Sequence, residues 1–231
     1  MFEYKDLKKN STAHKIYLSA KKLFFQNGIE NTSVRSLALD AGVNLGSITY
    51  HFKEKKDITT RIYAQVCNEM ENFFPVSGNG LLSLHDYFFF EMLHLKALIV
   101  SPAFHELCRC SIDQDEINRQ YYEWNVQYIR QYAYHDASDS DFIKVIPYMQ
   151  KGLMRELSDV YHRFSEEERP STRSLLNYYM DALIQSIFPP EVRDGYQALD
   201  EYRNHLLDEF DYWYVDIVKS YTPVFIQLDT K

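Results

Sequence analysis

The sequence predicts an all-α protein: an N-terminal helix-turn-helix domain of three helices, followed by a larger helical body. Three observations carry this expectation. Gly and Pro number 7 each in 231 residues, too few for a β-rich or disordered chain and suited to long, rarely interrupted helices. Apolar residues recur at i, i+4 and i+7 through most of the chain, the period of a helix with one buried face. Residues 31–58, NTSVRSLALDAGVNLGSITYHFKEKKDI, hold two short amphipathic segments across a tight turn, with a basic segment after them. Such a helix pair is a device for laying its second helix in the major groove of duplex DNA.

The first helix is expected over about 11–27. Ser11 or Thr12 caps its start, and Gly28 stands where a left-handed C-terminal residue is wanted. Ile16, Ala20, Leu23 and Phe24 line its buried face. The second helix starts after Thr32 or Ser33 and repeats the spacing with Val34, Leu37, Ala38 and Ala41. Gly42 frees the backbone for the sharp turn, and Val43 plugs the corner. The third helix, about 45–52, turns Ile48 and Phe52 toward the core. A fourth, about 55–74, carries the stripe Ile58, Ile62, Val66 and Met70, and PVSGNG at 75–80 reads as a linker. Beyond it the spacing predicts helices over about 82–100, to 110, 113–134, 140–164, 171–188 and 195–221, and no strand. The helix at 140–164 is expected to bury Ile146, Met149, Leu153, Leu157, Val160 and Phe164.

Net charge is −8, which taken whole speaks against nucleic acid. Its distribution says otherwise. Residues 1–60 contain ten Lys and Arg against six Asp and Glu, and the remainder fifteen against twenty-seven. A basic head on an acidic body suits a protein that offers one end to DNA. Cys67, Cys108 and Cys110 are odd in number and poorly spaced for a disulfide scaffold, and no apolar run approaches the about 18 residues a membrane span requires. A reduced, cytoplasmic protein with no membrane partner is expected. The 19 Tyr and 15 Phe serve either a core built from Tyr or an aromatic-lined pocket.

The run AKKLFFQNGIENTSVRSLALDAGVNLGSITYHFKEKKDI, within about Ile16 to Ile62, resembles the N-terminal domain of the tetracycline-repressor (TetR-like) family of bacterial regulators. The likeness lies in the order of features: a helix followed by Gly, a Thr-Ser cap, an Ala-Gly-Val turn, a Tyr-His-Phe ending and a Lys-rich start to helix four. It covers about a fifth of the chain, and the body carries no matching motif, as is usual in that family. Read from the residues, Asn44, Leu45, Ser47, Thr49, Tyr50 and His51 form the outward face of the third helix, where polar groups can meet base edges and Leu45 a thymine methyl. Arg35 can reach a phosphate or a guanine, and the resemblance implies that it reads a base. Lys53, Lys55 and Lys56 cluster where the DNA backbone would pass, and Lys55 matches the family's phosphate-binding lysine. Ser33 can cap the second helix while its N–H meets a phosphate. One departure stands out: Thr49 occupies the place of a commonly phosphate-contacting Tyr, so either Tyr50 takes over that contact or it is lost. Lys8 and Lys9 form either a minor-groove arm or a disordered tail.

For the whole chain the resemblance implies a homodimeric, ligand-responsive transcriptional regulator, most often a repressor. It would bind a double-stranded, pseudo-palindromic operator with its two reading heads about 34–36 Å or more apart, and leave when a small-molecule effector enters the body. The expected division is a DNA-binding domain at 1–56, helix four at 55–74 as connector, and an effector-binding and dimerisation domain at 57–231. Pocket candidates are Phe88, Met92, Trp124, Tyr128, Tyr148 and Met149, which core packing would explain equally well. The last two helices are apolar around much of their girth, with Leu176, Tyr179, Leu183 and Ile187 on one and Leu206, Phe210, Trp213 and Ile217 on the other. A four-helix bundle with a second copy is expected there, an internal core being the alternative. His105, Cys108 and Cys110 invite a metal or thiol sensor, but Cys110 falls off the shared face and a fourth ligand is not obvious, so no metal or cofactor is expected. The chain has no Gly-rich phosphate loop and no nucleophile elbow, and an enzyme is not expected. The alternative to a DNA reader is a co-regulator that uses the helix-turn-helix architecturally to bind another protein.

Overall fold

A computed structural model describes residues 1–3, 7–78, 80–111, 114–132, 141–187 and 196–220. In order, the helices are α1 (Thr12–Asn27), α2 (Val34–Ala41), α3 (Leu45–His51), α4 (Lys55–Glu71), α5 (Leu84–Val100), α6 (Pro102–Ser111), α7 (Asp115–Tyr132), α8 (Asp141–Arg163), α9 (Thr172–Ile187) and α10 (Tyr196–Ser220). The only extended pairing among the described residues is an isolated antiparallel bridge, Val76 to Leu82, which makes the expected linker a closed turn. Two compact units result: Met1–Glu69 with Pro102–Gln120, and Met70–Ser101 with Tyr121–Lys231. The sequence reading divides the chain at residue 56. In packing, the unit holding the helix-turn-helix also takes α6 and the start of α7.

In the first unit α1, α2 and α3 pack on one another and α6 packs on α1. Ile16, Ala20 and Phe24 of α1, Leu37 of α2 and Ile48 of α3 form the fully buried centre. Ser11 caps α1 by accepting from the His14 N–H, and Ser33 caps α2 by accepting from the Ser36 N–H. Gly42 is left-handed, at φ 64° and ψ 37°, and makes the turn. Gly28 corrects the sequence reading. Its φ of 81° is positive, but its ψ of 157° is extended, so it adopts a conformation open essentially to Gly alone rather than the left-handed helical one. The first residues dock on the same unit. Phe2 exchanges two hydrogen bonds with the Asn68 carboxamide at 2.7 and 2.6 Å, and the Glu3 N–H donates to Gln120 Oε1 at 2.9 Å.

The second unit is organised around α5, on which α8, α9 and α10 pack. Every residue from Tyr87 to Leu95 is buried, so α5 has no solvent face along this stretch. Ser83 caps it, accepting from the Asp86 N–H and donating back to the Asp86 carboxylate at 2.6 Å.

This packing overturns two expectations. Leu176, Tyr179, Leu183, Leu206 and Phe210 have essentially no exposed surface within one chain. A side chain with no surface left has none to bury against a second copy, so these stripes are internal core around α5. Trp213 is half-buried and stacks on Phe74 at 5.3 Å between centroids. The side chains of Ile187 and Ile217 lie outside the described residues. On α8 the buried face is Ile146, Gln150, Met154 and Ser158, whereas Leu153, Leu157 and Val160 are half-buried and Met149 and Phe164 are exposed. Apolar periodicity missed this face because two of its four members are polar. The Ser158 hydroxyl is satisfied locally, donating to the Arg155 carbonyl at 2.9 Å.

Candidate functional site

The outward face of α3 is built by its caps and its core anchor. Asn44 is the N-cap, its side-chain oxygen accepting from the Ser47 N–H at 2.8 Å and the Ser47 hydroxyl at 3.0 Å. That oxygen is committed to the helix, which leaves the amide nitrogen for any outward contact. Ile48 is buried, and its burial fixes the rotation of α3. Thr49, Tyr50 and His51 are thereby turned to solvent, as is Leu45 one turn earlier. Tyr50 is 85 % exposed and its ring lies edge-on to His51 at 4.9 Å. Arg35 is exposed on α2, and one turn beyond it Leu39 is also 85 % exposed, an apolar residue that periodicity alone did not single out. α2 is held to α1 by Lys22 and Asp40 at 2.5 Å, and the Lys22 ammonium keeps the Asp40 carboxyl below its ordinary range.

Lys55 is differently placed from what its motif implied. Its ammonium donates to the carbonyls of Ile29 and Thr32 at 2.8 and 3.2 Å, so two of its three protons already hold the α1–α2 loop. The other side of the same loop is gripped by Glu106 of α6, whose carboxylate accepts from the N–H groups of Ile29 and Glu30 at 2.8 and 3.0 Å. Ile29 is therefore pinned through both its N–H and its carbonyl. A Cβ on Gly28 would stand 3.3 Å from Glu106 Oε2, a second reason for Gly there. Lys55→Ala is thus expected to lower the melting temperature of the head as well as its affinity for DNA. Thermal unfolding without DNA checks this, and an unchanged midpoint would restrict Lys55 to a DNA contact. Lys53 and Lys56 are exposed on either side of it.

Of the pocket candidates, Phe88, Met92, Trp124 and Tyr128 are buried, whereas Tyr148 and Met149 are 58 % and 53 % exposed and line no interior site. The interior instead holds polar groups that were not among the pocket candidates. Tyr179 donates to Glu91 Oε2 at 2.6 Å, and Tyr87 donates to Asn125 Oδ1 at 2.8 Å. Burial pushes the Glu91 carboxyl up to about 7 and the His94 imidazole down to about 4. His105, Cys108 and Cys110 do not converge. Cys108 is buried with its Sγ 3.7 Å from the Tyr63 hydroxyl, and Cys110 is half-buried with its thiol pushed up, burial being the main cause. Among the described residues no three His, Cys, Asp or Glu side chains could hold a metal ion, and no single helix is long and apolar enough to cross a membrane.

A core-anchored, capped third helix with its polar side outward, and lysines at its exit, defines a helix-turn-helix DNA-binding regulator. Residues 16–62 match the model for bacterial regulatory proteins of the tetR family. An HTH-type transcriptional regulator of Staphylococcus aureus (strain USA300) is 22 % identical over 209 residues, spanning 88 % of this chain and 94 % of its own. Among solved structures, the tetR regulator TylP from Streptomyces fradiae is 15 % identical with a TM-score of 0.54, covering 86 % of this chain and 97 % of its own. The TetR-family protein CprB from S. coelicolor A3(2) is 18 % identical with a TM-score of 0.51, covering 86 % of this chain and 98 % of its own. At these identities the solved structures speak to the fold alone.

Proposed function

We propose that the chain is a homodimeric repressor that reads a pseudo-palindromic operator and leaves it when a small-molecule effector occupies the helical body. The observation that carries the reading is α3. It sinks Ile48 into the core while holding Leu45, Thr49, Tyr50 and His51 in water, an arrangement with no packing purpose of its own. Leu45, Ser47, Thr49 and Tyr50 would face base edges, with the Asn44 amide and His51 at the rim. Ser33, Lys53 and the remaining proton of Lys55 would meet phosphates. Arg35 would read a base. Thr49 is too short for the phosphate its place implies, and the exposed Tyr50 hydroxyl takes that contact.

Selection of bound duplexes from a random library, followed by gel shifts over a salt series, tests the reading. A pseudo-palindrome should emerge, with log affinity falling against log salt at a slope of several units. Arg35→Ala should relax the preference at one base position at a cost of roughly 1–3 kcal/mol there. Retention of duplexes without any sequence preference would instead make the helix-turn-helix a protein-binding module.

A second copy would seat on α8 rather than on the stripes of α9 and α10. Of the apolar residues expected to be buried on α8, Met149 and the half-buried Leu153 and Leu157 run along its solvent side, where Val145 continues the row and Tyr148 lies beside it. Their spacing of four makes one continuous ridge, the form a helix offers to a helical partner. Met149→Lys should yield monomers by sedimentation and lose at least about tenfold in operator affinity, because one head alone makes half the contacts. An intact dimer would remove α8 from the interface. Transmission to the head would use the Ile29 loop, which α4 and α6 hold through Lys55 and Glu106. A movement of either helix changes where α2 begins.

A further inference from the structure

Three polar side chains sit on one strip of α5, a helix whose central stretch is shut off from water. Tyr87, Glu91 and His94 fall at i, i+4 and i+7, and none is more than 1 % exposed. Hydrogen bonds hold part of this cluster. Tyr87 donates to Asn125 Oδ1 at 2.8 Å, and the Asn125 amide donates to the Tyr121 carbonyl at 3.0 Å. Tyr179 of α9 donates to Glu91 Oε2 at 2.6 Å. Glu91 Oε1 is buried with no hydrogen-bond partner among the described residues. Buried acceptors are almost always satisfied, and a buried carboxylate is ordinarily paired. The groups that face this one electrostatically, Tyr87 and Tyr179, carry no positive charge, and burial keeps His94, one turn along α5, neutral.

The walls beside this strip are aromatic. Tyr87 stacks on Tyr128 with centroids 4.6 Å apart, Trp124 lies 4.6 Å from Tyr128, and Phe90 lies 4.9 Å from Trp124. We propose that this strip is the effector site of the helical body and that its ligand is a protonated amine borne on an aromatic ring, with the ammonium donating to Glu91 Oε1. The ammonium supplies both things the carboxylate lacks, an N–H donor and an opposite charge. Its ring joins the Tyr87–Trp124–Tyr128 stack, whose faces also favour a nearby cation. An anionic ligand would meet Glu91 with like charge, and a neutral one would leave the charge unbalanced. This assignment deepens the effector-responsive reading above and rests on it.

The test uses the full chain with 2-phenylethylamine and tryptamine as probes. The alcohol 2-phenylethanol and the acid 3-phenylpropionate serve as shape-matched controls, and binding is followed by thermal unfolding and by tryptophan fluorescence, which Trp124 reports. At least one amine should bind saturably and raise the melting temperature, at least tenfold more tightly than the alcohol, and the acid should not bind. Glu91→Gln keeps the shape and the Tyr179 contact, and should weaken amine binding at least tenfold while still binding the selected operator. The wild-type comparison of amine, alcohol and acid decides the matter even if the variant does not fold. Equal binding of amine and alcohol, equal amine binding by Glu91→Gln, or no binding of either amine overturns the assignment. Operator binding is measured without amine. A protein that selects a pseudo-palindrome but ignores both amines loses this site and keeps its regulatory reading; one that binds an amine but prefers no DNA sequence loses the regulatory reading instead.

Discussion

Glu106→Ala is expected to destabilise the DNA-reading unit by roughly 2–4 kcal/mol, more than any single substitution on the exposed face of α3. The carboxylate accepts two backbone N–H bonds, from Ile29 and Glu30. Bonds to a charged acceptor contribute about 1.5–3 kcal/mol each, and the half-buried setting of Glu106 puts both at the lower end. Ile29 itself is buried, so the Ala variant strands its N–H away from water, and the penalty of that unmet donor adds to the loss. Glu106→Gln keeps one good acceptor oxygen and should fall between wild type and Ala. Urea unfolding gives the free energies, and hydrogen exchange at the Ile29 and Glu30 amides locates them. A variant within about 0.5 kcal/mol of wild type, with both amides still protected, would show that the loop holds without its clamp. The same substitution should blunt effector release, because Glu106 is the contact through which α6 holds the approach to α2.

The head was legible in the sequence because its signals are local. Ser11, Ser33 and Gly42 each act within four residues of where they stand, and each does what its type implies. Gly28 shows where that logic ends. The residue type was right and the conformation was not, because ψ at Gly28 is set by a loop that Glu106 grips from 76 residues away in sequence. Lys55 is similar: its motif suggests a phosphate, and only the fold reveals the carbonyls of Ile29 and Thr32 beneath it. In the body, apolar spacing located the helices but assigned two faces wrongly. The girth of α9 and α10 looked like surface for a second chain because nothing local announces that α5 needs covering on every side. The buried side of α8 was hidden by Gln150 and Ser158, polar residues whose burial only tertiary partners permit. Glu91 was missed for the same reason, since a carboxylate within an aromatic run looks like a solvent-facing position until that run proves to be enclosed.

Glu91→Gln is expected to make the protein more stable above neutral pH and to leave its stability nearly unchanged in mild acid. The folded-state carboxyl titrates at about 7, against an ordinary value of 4.5, with burial as the main cause and the Tyr179 hydroxyl working weakly the other way. Between those values the folded protein holds a proton that the unfolded chain has released. Stability therefore falls as pH rises through this window and levels off above it. His94 works in the opposite sense. Burial holds it at about 4 against 6.5, so the unfolded chain carries the extra proton there and stability rises with pH across that range. The two slopes largely cancel in the wild type, whose own profile is a poor test. Subtracting it from the profile of Glu91→Gln removes the His94 contribution and leaves a difference near zero at about pH 4.5, growing to roughly 1–3 kcal/mol in favour of Gln by about pH 8. Chemical unfolding at several pH values measures it, and a difference independent of pH would mean that Glu91 stays protonated throughout or is paired in solution. A residue whose removal stabilises the fold is retained for something other than folding. An amine bound at Oε1 would supply the missing charge, and the advantage of Gln over Glu should then shrink or reverse at high pH when 2-phenylethylamine is present.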